Sequence, residues 1–176
     1  MSLNCMNKSP QEIKQMIEQW VKITNAHFED ITTQEKPKQP RLEWIFKINN
    51  FMAVYMMEGR SDRVSFSAPI NFAPIHQDAL LNLSDKDFLE FLVAIIEPLA
   101  IAGITPQLIQ NNKEIKQISL ENYIDTETLS RDKFFRIWDQ LSTFKELVIK
   151  KVQLKLDPSS INNASNSFNS ENQFYG

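Results

Sequence analysis

Apolar and polar residues alternate most regularly between Leu42 and Ile70, LEWIFKINNFMAVYMMEGRSDRVSFSAPI. A period of two is that of a half-buried strand, and the breaks at Asn49-Asn50 and at Gly59-Arg60-Ser61-Asp62 divide the stretch into a three-stranded antiparallel meander. Asparagine tolerates the positive φ of a two-residue hairpin loop, so Asn49-Asn50 is expected to set Ile48 opposite Phe51, Phe46 opposite Ala53 and Trp44 opposite Tyr55. Pairing Met57 with Val64 then sets Tyr55 opposite Phe66 and Ala53 opposite Ala68. In this register Leu42, Trp44, Phe46, Ile48, Phe51, Tyr55, Met57, Val64, Phe66 and Ile70 form a floor beneath the helices. Ile45, Met52, Val54 and Met56 form an apolar strip on the other face, with Glu43, Lys47, Arg63, Ser65 and Ser67 at its margins.

A period of three to four residues marks the helices. Ser9-Pro10-Gln11-Glu12 supplies an N-cap, a proline where no amide donor is needed and a glutamate that closes a capping box. Ile13, Met16, Ile17, Trp20, Val21, Thr24 and Phe28 then share one face, opposite Lys14, Glu18 and Lys22. From Asp30 to Pro40 the pattern dissolves into a surface connection. Asn71 to Leu83 is a transition with a short helix over Gln77 to Leu81.

Ser84 caps a second long helix whose Phe88, Leu89, Leu92, Val93, Ile95, Ile96 and Leu99 make it apolar around most of its circumference. Pro98 is expected to bend or end it, and Gly103 suits the residue after its C-cap. Thr105 to Gln110 and Ile115 to Ile124 read as a second hairpin. Ser130 opens a last amphipathic helix through Phe134, Phe135, Trp138, Leu141, Phe144, Leu147 and Val148 to about Leu154. The expected fold is α+β, a five-stranded antiparallel sheet in the order α-β-β-β-α-β-β-α with helices mainly on one face. Residues 1–8 read as a flexible lead, 9–156 as one domain and 157–176, rich in Asn and Ser, as a disordered tail.

Composition narrows the function without naming it. In 176 residues, 42% hydrophobic and 23% charged are ordinary for a globular chain of one-domain length. A net charge of -3 offers no long-range attraction for a phosphate backbone, so no nucleic-acid partner is expected. The lone Cys5 allows no internal disulfide and fits a reducing compartment. The opening residues do not resemble a secretory signal, and the apolar run Phe88 to Gly103, broken by Glu90, Glu97 and Pro98, is short of a bilayer span of roughly 20 residues. A cytoplasmic protein without membrane contact is expected.

No catalytic, metal or cofactor set is expected. His27 and His76 have no second histidine or cysteine at ligand spacing. Ser65 and Ser67 stand on a strand, with no nucleophile elbow, and three glycines leave no phosphate loop. Asp85, Asp87 and Glu90 near a helix start meet the helix dipole without further explanation, and Lys145, Lys150, Lys151 and Lys155 read as a solvated face. The strip of Ile45, Met52, Val54 and Met56 is the candidate protein-binding surface, because methionine adapts to varied partners. The other reading is that the linker before Arg41 or the second long helix covers it.

The capped helix from Ser9, the LEWIFKINNFMAVYMMEG hairpin, the DFLEFLVAIIEPLAIAG helix and the LSRDKFF start of the last helix resemble, in order and texture, the type III secretion chaperone-like fold. The likeness spans about Ser9 to Leu156 and is greatest to the uncharacterised archaeal families that share that fold. It implies a small acidic homodimer that holds a protein or peptide partner on an apolar surface, a binding module rather than an enzyme. The alternatives are a small-molecule or enzymatic pocket between the sheet and the second long helix, with His76 and Tyr55 as polar groups, and recognition through Phe168, Phe174 and Tyr175 of the tail.

Overall fold

The computed structural model describes residues 8–156. The expected tail with Phe168, Phe174 and Tyr175, Cys5, and all but Lys8 of the expected lead lie outside the described residues. Helix α1 (Pro10–Ile23) leads to the short strand β1 (Phe28–Asp30) and the one-turn helix α2 (Thr32–Glu35). The meander follows as β2 (Leu42–Ile48), β3 (Met52–Met57) and β4 (Arg63–Asn71), then helices α3 (Pro74–Leu81) and α4 (Asp85–Ile101). The second hairpin is β5 (Thr105–Asn111) and β6 (Glu114–Asp125), and α5 (Arg131–Leu156) completes the fold. The class is α+β as expected, but the antiparallel sheet has six strands in the order β1-β2-β3-β4-β6-β5 rather than five.

The sixth strand comes from the end of the first helical pattern. The Ser9 capping box forms, with Glu12 N donating to Ser9 Oγ at 3.3 Å and Ser9 N to Glu12 Oε2 at 2.7 Å. The helix stops at Ile23, and Asn25 at φ 56° turns the chain. Phe28 therefore leaves the helical face and pairs with Ile48 on the sheet edge, its ring 4.6 Å from that of Phe46. The Lys14 ammonium on α1 pairs with Asp30 on β1 and ties helix to edge. The connection after Asp30 is structured as well, because Thr32 Oγ1 accepts from Ile45 N at 3.0 Å and donates to Ile45 O at 3.1 Å.

The meander register differs from the expected one by one residue. Asn49 and Asn50 do take positive φ, at 50° and 57°, but pairing resumes at Ile48 with Met52, not Phe51. Phe51 leaves the ladder to meet Trp138 of α5, with ring centroids 6.4 Å apart, while Lys145 donates to its carbonyl. Because side chains alternate, the slip inverts β3: Met52, Val54 and Met56 point into the core beside Trp44, Phe46 and Ile48. Ala53, Tyr55 and Met57 face the other way, and Tyr55 pairs with Ser65 and Ala53 with Ser67. A second irregularity between Leu42 and Trp44 sends Leu42 outward too. The inversion buries Met52, Val54 and Met56 in place of a tyrosine whose hydroxyl would need a partner in the core.

The remaining punctuation holds with small changes. Pro74 at the start of α3 extends that helix back from Gln77. Pro98 does not end α4, which runs on to Ile101. Gly103 at φ 71° follows the Ala102 cap, with Gly103 N donating to Ala100 O and Ile104 N to Leu99 O at 2.9 Å, a Schellman motif. Helices α1, α3, α4 and α5 bury Ile13, Ile17, Leu80, Phe91, Ile95, Phe134, Leu141 and Val148 against one face of the sheet. On the opposite face α2 and Ile31 cover Leu42 and Ile45.

Candidate functional site

The opposite face of the sheet carries rows set by the register. One runs Ile45, Tyr55, Ser65, Tyr123, and the next Lys47, Ala53, Ser67, Glu121, Thr105. Ser65 of β4 is small between Tyr55 and Tyr123, so a groove opens above it, and on the same face of the sheet Ser67 Oγ meets Ser119 Oγ at 2.6 Å. Its volume is about 410 Å³, and its walls include Arg41, Tyr55, Met57, Arg60, Arg63, Ser65, Thr105, Glu121 and Tyr123. Tyr55 and Tyr123 flank Ser65 with their backbones about 10 Å apart, two strand spacings.

The charges here are unevenly partnered. Burial pushes the Glu121 carboxyl above its ordinary range, and among the described residues its side chain makes no hydrogen bond or ion pair. Burial also raises the Tyr55 hydroxyl, the Glu121 charge adds to this, and the Ser65 hydroxyl acts against it. Arg63 lies over the Tyr123 ring, 4.7 Å from its centroid, and pairs with the exposed Asp62 at 3.2 Å. Arg41 and Arg60 stand exposed at the rim, and Glu58 pairs with Lys36 at 3.2 Å.

A second surface lies on α4. Phe91, Ile95 and Leu99 take its inner face, which leaves Leu89, Val93 and Ala100 on the outer one with half-buried Ile96 beside them. Leu89 is 62% exposed and Val93 49%, a row of apolar side chains of a kind that marks interaction sites, and Ile101 at the helix end points to another side. Between α4 and α5 a cleft of about 430 Å³ is lined by Glu90, Phe91, Ala94, Lys151, Leu154 and Lys155.

The structure redistributes the residues singled out by sequence. Met52, Val54 and Met56 are fully buried under the helices, so they form no surface; Ile45 faces outward but lies beneath Ile31 and α2. The strip is thus covered, by the linker on one side and the helical layer on the other. His76 on α3 and Tyr55 on the opposite sheet face share no pocket. His27 is exposed in the turn before β1. Asp87 stays at the Ser84 cap, where Ser84 Oγ lies 2.6 Å from its carboxylate, and Asp85 pairs with Lys113 at 2.6 Å. Lys145 is half-buried, its amine lowered by burial, and Lys151 donates to Ala94 O. Among the described residues no group of three or more His, Cys, Asp or Glu could hold a metal ion, and no helix is long and apolar enough to cross a membrane.

The sequence pattern does not point to the groove, since its alternation puts Tyr55 in the core and Glu121 carries no motif. The available signal was the serine pair of β4, small polar residues at alternate positions beside two tyrosine-bearing strands. It missed the α4 row in a different way. The all-round apolar character of that helix was plain, but it suggested a second cover where the described residues leave an exposed row.

A crystal structure of an uncharacterized protein from Methanothermobacter thermautotrophicus is similar, with a TM-score of 0.71 and 16% identity over 81% of this chain and 98% of that one. At that identity the likeness is one of fold alone. No curated protein matches the chain. The family described as "Uncharacterized conserved protein (DUF2299)" matches residues 13–152, and the chain belongs to that family.

Proposed function

We propose that the protein is a non-enzymatic, protein-binding module that works as a cytoplasmic homodimer, chaperone-like in holding a polypeptide partner. The observation that carries this reading is the exposed apolar row of α4, Leu89, Val93 and Ala100 with Ile96 at its edge. A second copy of the same helix suits it. With two α4 helices antiparallel and crossing between Leu89 and Val93, residues on the same flank face each other, so Lys86 of one copy comes near Glu97 of the other at both ends. Lys86 is free to reach across, since its bond to Glu90 on its own helix is a loose 3.8 Å and both side chains are largely exposed. The resemblance of the element order to the type III secretion chaperone-like fold, which implies a small acidic homodimer, motivates the same assignment.

Co-purification tests it. A tagged copy is expected to retain an untagged one, and the double substitution Leu89→Glu and Val93→Glu to abolish retention while leaving the circular-dichroism spectrum and melting temperature close to those of the parent. Retention by the double variant would overturn the assignment of the interface to α4.

A further inference from the structure

The groove on the open sheet face sorts charge along its length. Glu121 stands in it without a partner among the described residues, and the Arg63 guanidinium lies over the ring of Tyr123, two positions further along the same strand. Two strand positions are about 7 Å, the backbone spacing between Glu121 and the Tyr123 whose ring the Arg63 guanidinium covers, so an acid and a base face outward along one line of the groove. An extended polypeptide presents alternate side chains to one side at the same spacing of about 7 Å.

We infer that this groove takes an extended segment of a partner polypeptide in which a lysine and an acidic residue stand two apart, the lysine ammonium on Glu121 and the acid on Arg63. The inference rests on the reading of the chain as a polypeptide binder and adds which chemistry that polypeptide carries. Tyr55 and Tyr123 flank Ser65 in the row beside Glu121 and line the same groove, and aromatic faces attract a cation. Ser65, small between the two rings, leaves room for the lysine stem. Burial raises the Glu121 carboxyl in the absence of a cation, and a seated ammonium restores its charged form. Arg63 gives up little in turning to the partner, because its pair with Asp62 is an exposed contact between sequence neighbours.

The test is a titration of the full-length, nitrogen-15-labelled protein with the blocked peptide acetyl-Gly-Lys-Thr-Glu-Gly-amide and its neutral counterpart acetyl-Gly-Gln-Thr-Gln-Gly-amide, followed by amide chemical shifts. The charged peptide is expected to move the amides of Tyr55, Ser65, Glu121 and Tyr123 and to bind about tenfold tighter than the neutral one. Glu121→Gln and Arg63→Gln are each expected to remove most of that preference, with amide positions elsewhere unchanged as the check on folding. Equal binding of both peptides in the groove would overturn the charge sorting while leaving the polypeptide-binding reading intact. Shifts confined to other surfaces, or none with either peptide, would overturn the inference altogether, and co-purification through α4 would still report separately on the dimer.

Discussion

Ile48 pairs with Met52 across the first hairpin, and that one pairing decides which half of β3 is core. Every alternate residue after it follows: Val54 opposite Phe46 inside, Tyr55 opposite Ile45 outside.

Truncation separates the two halves. Met56→Ala empties a fully buried site and is expected to cost about 2–5 kcal/mol, whereas Tyr55→Ala on the groove face is expected to cost markedly less. Val54→Asp places an unpaired charge in the core and is expected to prevent folding. Urea titrations followed by tryptophan fluorescence check the order, and equal losses for Met56 and Tyr55 would contradict the register.

Glu121 gives stability a pH dependence of its own. Its native carboxyl lies above the ordinary value of 4.5, so the folded chain holds that proton more tightly than the unfolded one. The contribution is fully present below 4.5 and is lost as pH rises through the raised native value. Glu121→Gln is expected to remove this loss, so its melting temperature should exceed the parent's at pH 7 and approach it in acid. A variant less stable than the parent at pH 7 would contradict the account.

Asp30 works in the opposite sense. Burial alone would raise its carboxyl, but the Lys14 and Thr32 hydrogen bonds outweigh it and hold the group below its ordinary 3.8. Its stabilisation is therefore present above 3.8 and is lost as pH falls through the depressed native value. Asp30→Asn leaves the buried Lys14 ammonium without its partner and is expected to cost about 1–2 kcal/mol at pH 7, a loss moderated because the carboxylate is 43% exposed. The difference from the parent should shrink in acid, as thermal melts at a series of pH values would show.

Gly103 is held in the left-handed region at φ 71° with open space where a Cβ would go, so a substitution there meets backbone strain and no clash. Gly103→Ala is expected to cost about 1 kcal/mol, measured by urea denaturation.

Much of the fold was legible in the sequence because its signals are local. Ser9, Ser84 and Ser130 cap their helices within one turn, the two asparagines at 49 and 50 announce their own φ, and the periodicity of α5 needs no partner to be recognised. What escaped depends on contacts distant in sequence. Phe51 leaves the ladder where it meets Trp138, and residues 28–30 become a strand on the edge that β2 offers. The groove follows from that inversion, since only the slipped register brings Tyr55 onto the face of Ser65, Glu121 and Tyr123. The row on α4 lies between these cases: its residues are plain in sequence, but which of them the core takes is decided by packing.

The most direct test of the central claim, that α4 is a self-docking surface, is the molar mass of the full-length protein by light scattering at micromolar concentration. The parent chain should give twice the mass of one chain, and the Leu89→Glu and Val93→Glu double variant the mass of a single chain with its fold retained. A parent of single-chain mass, or a double variant that remains a dimer, would contradict the account.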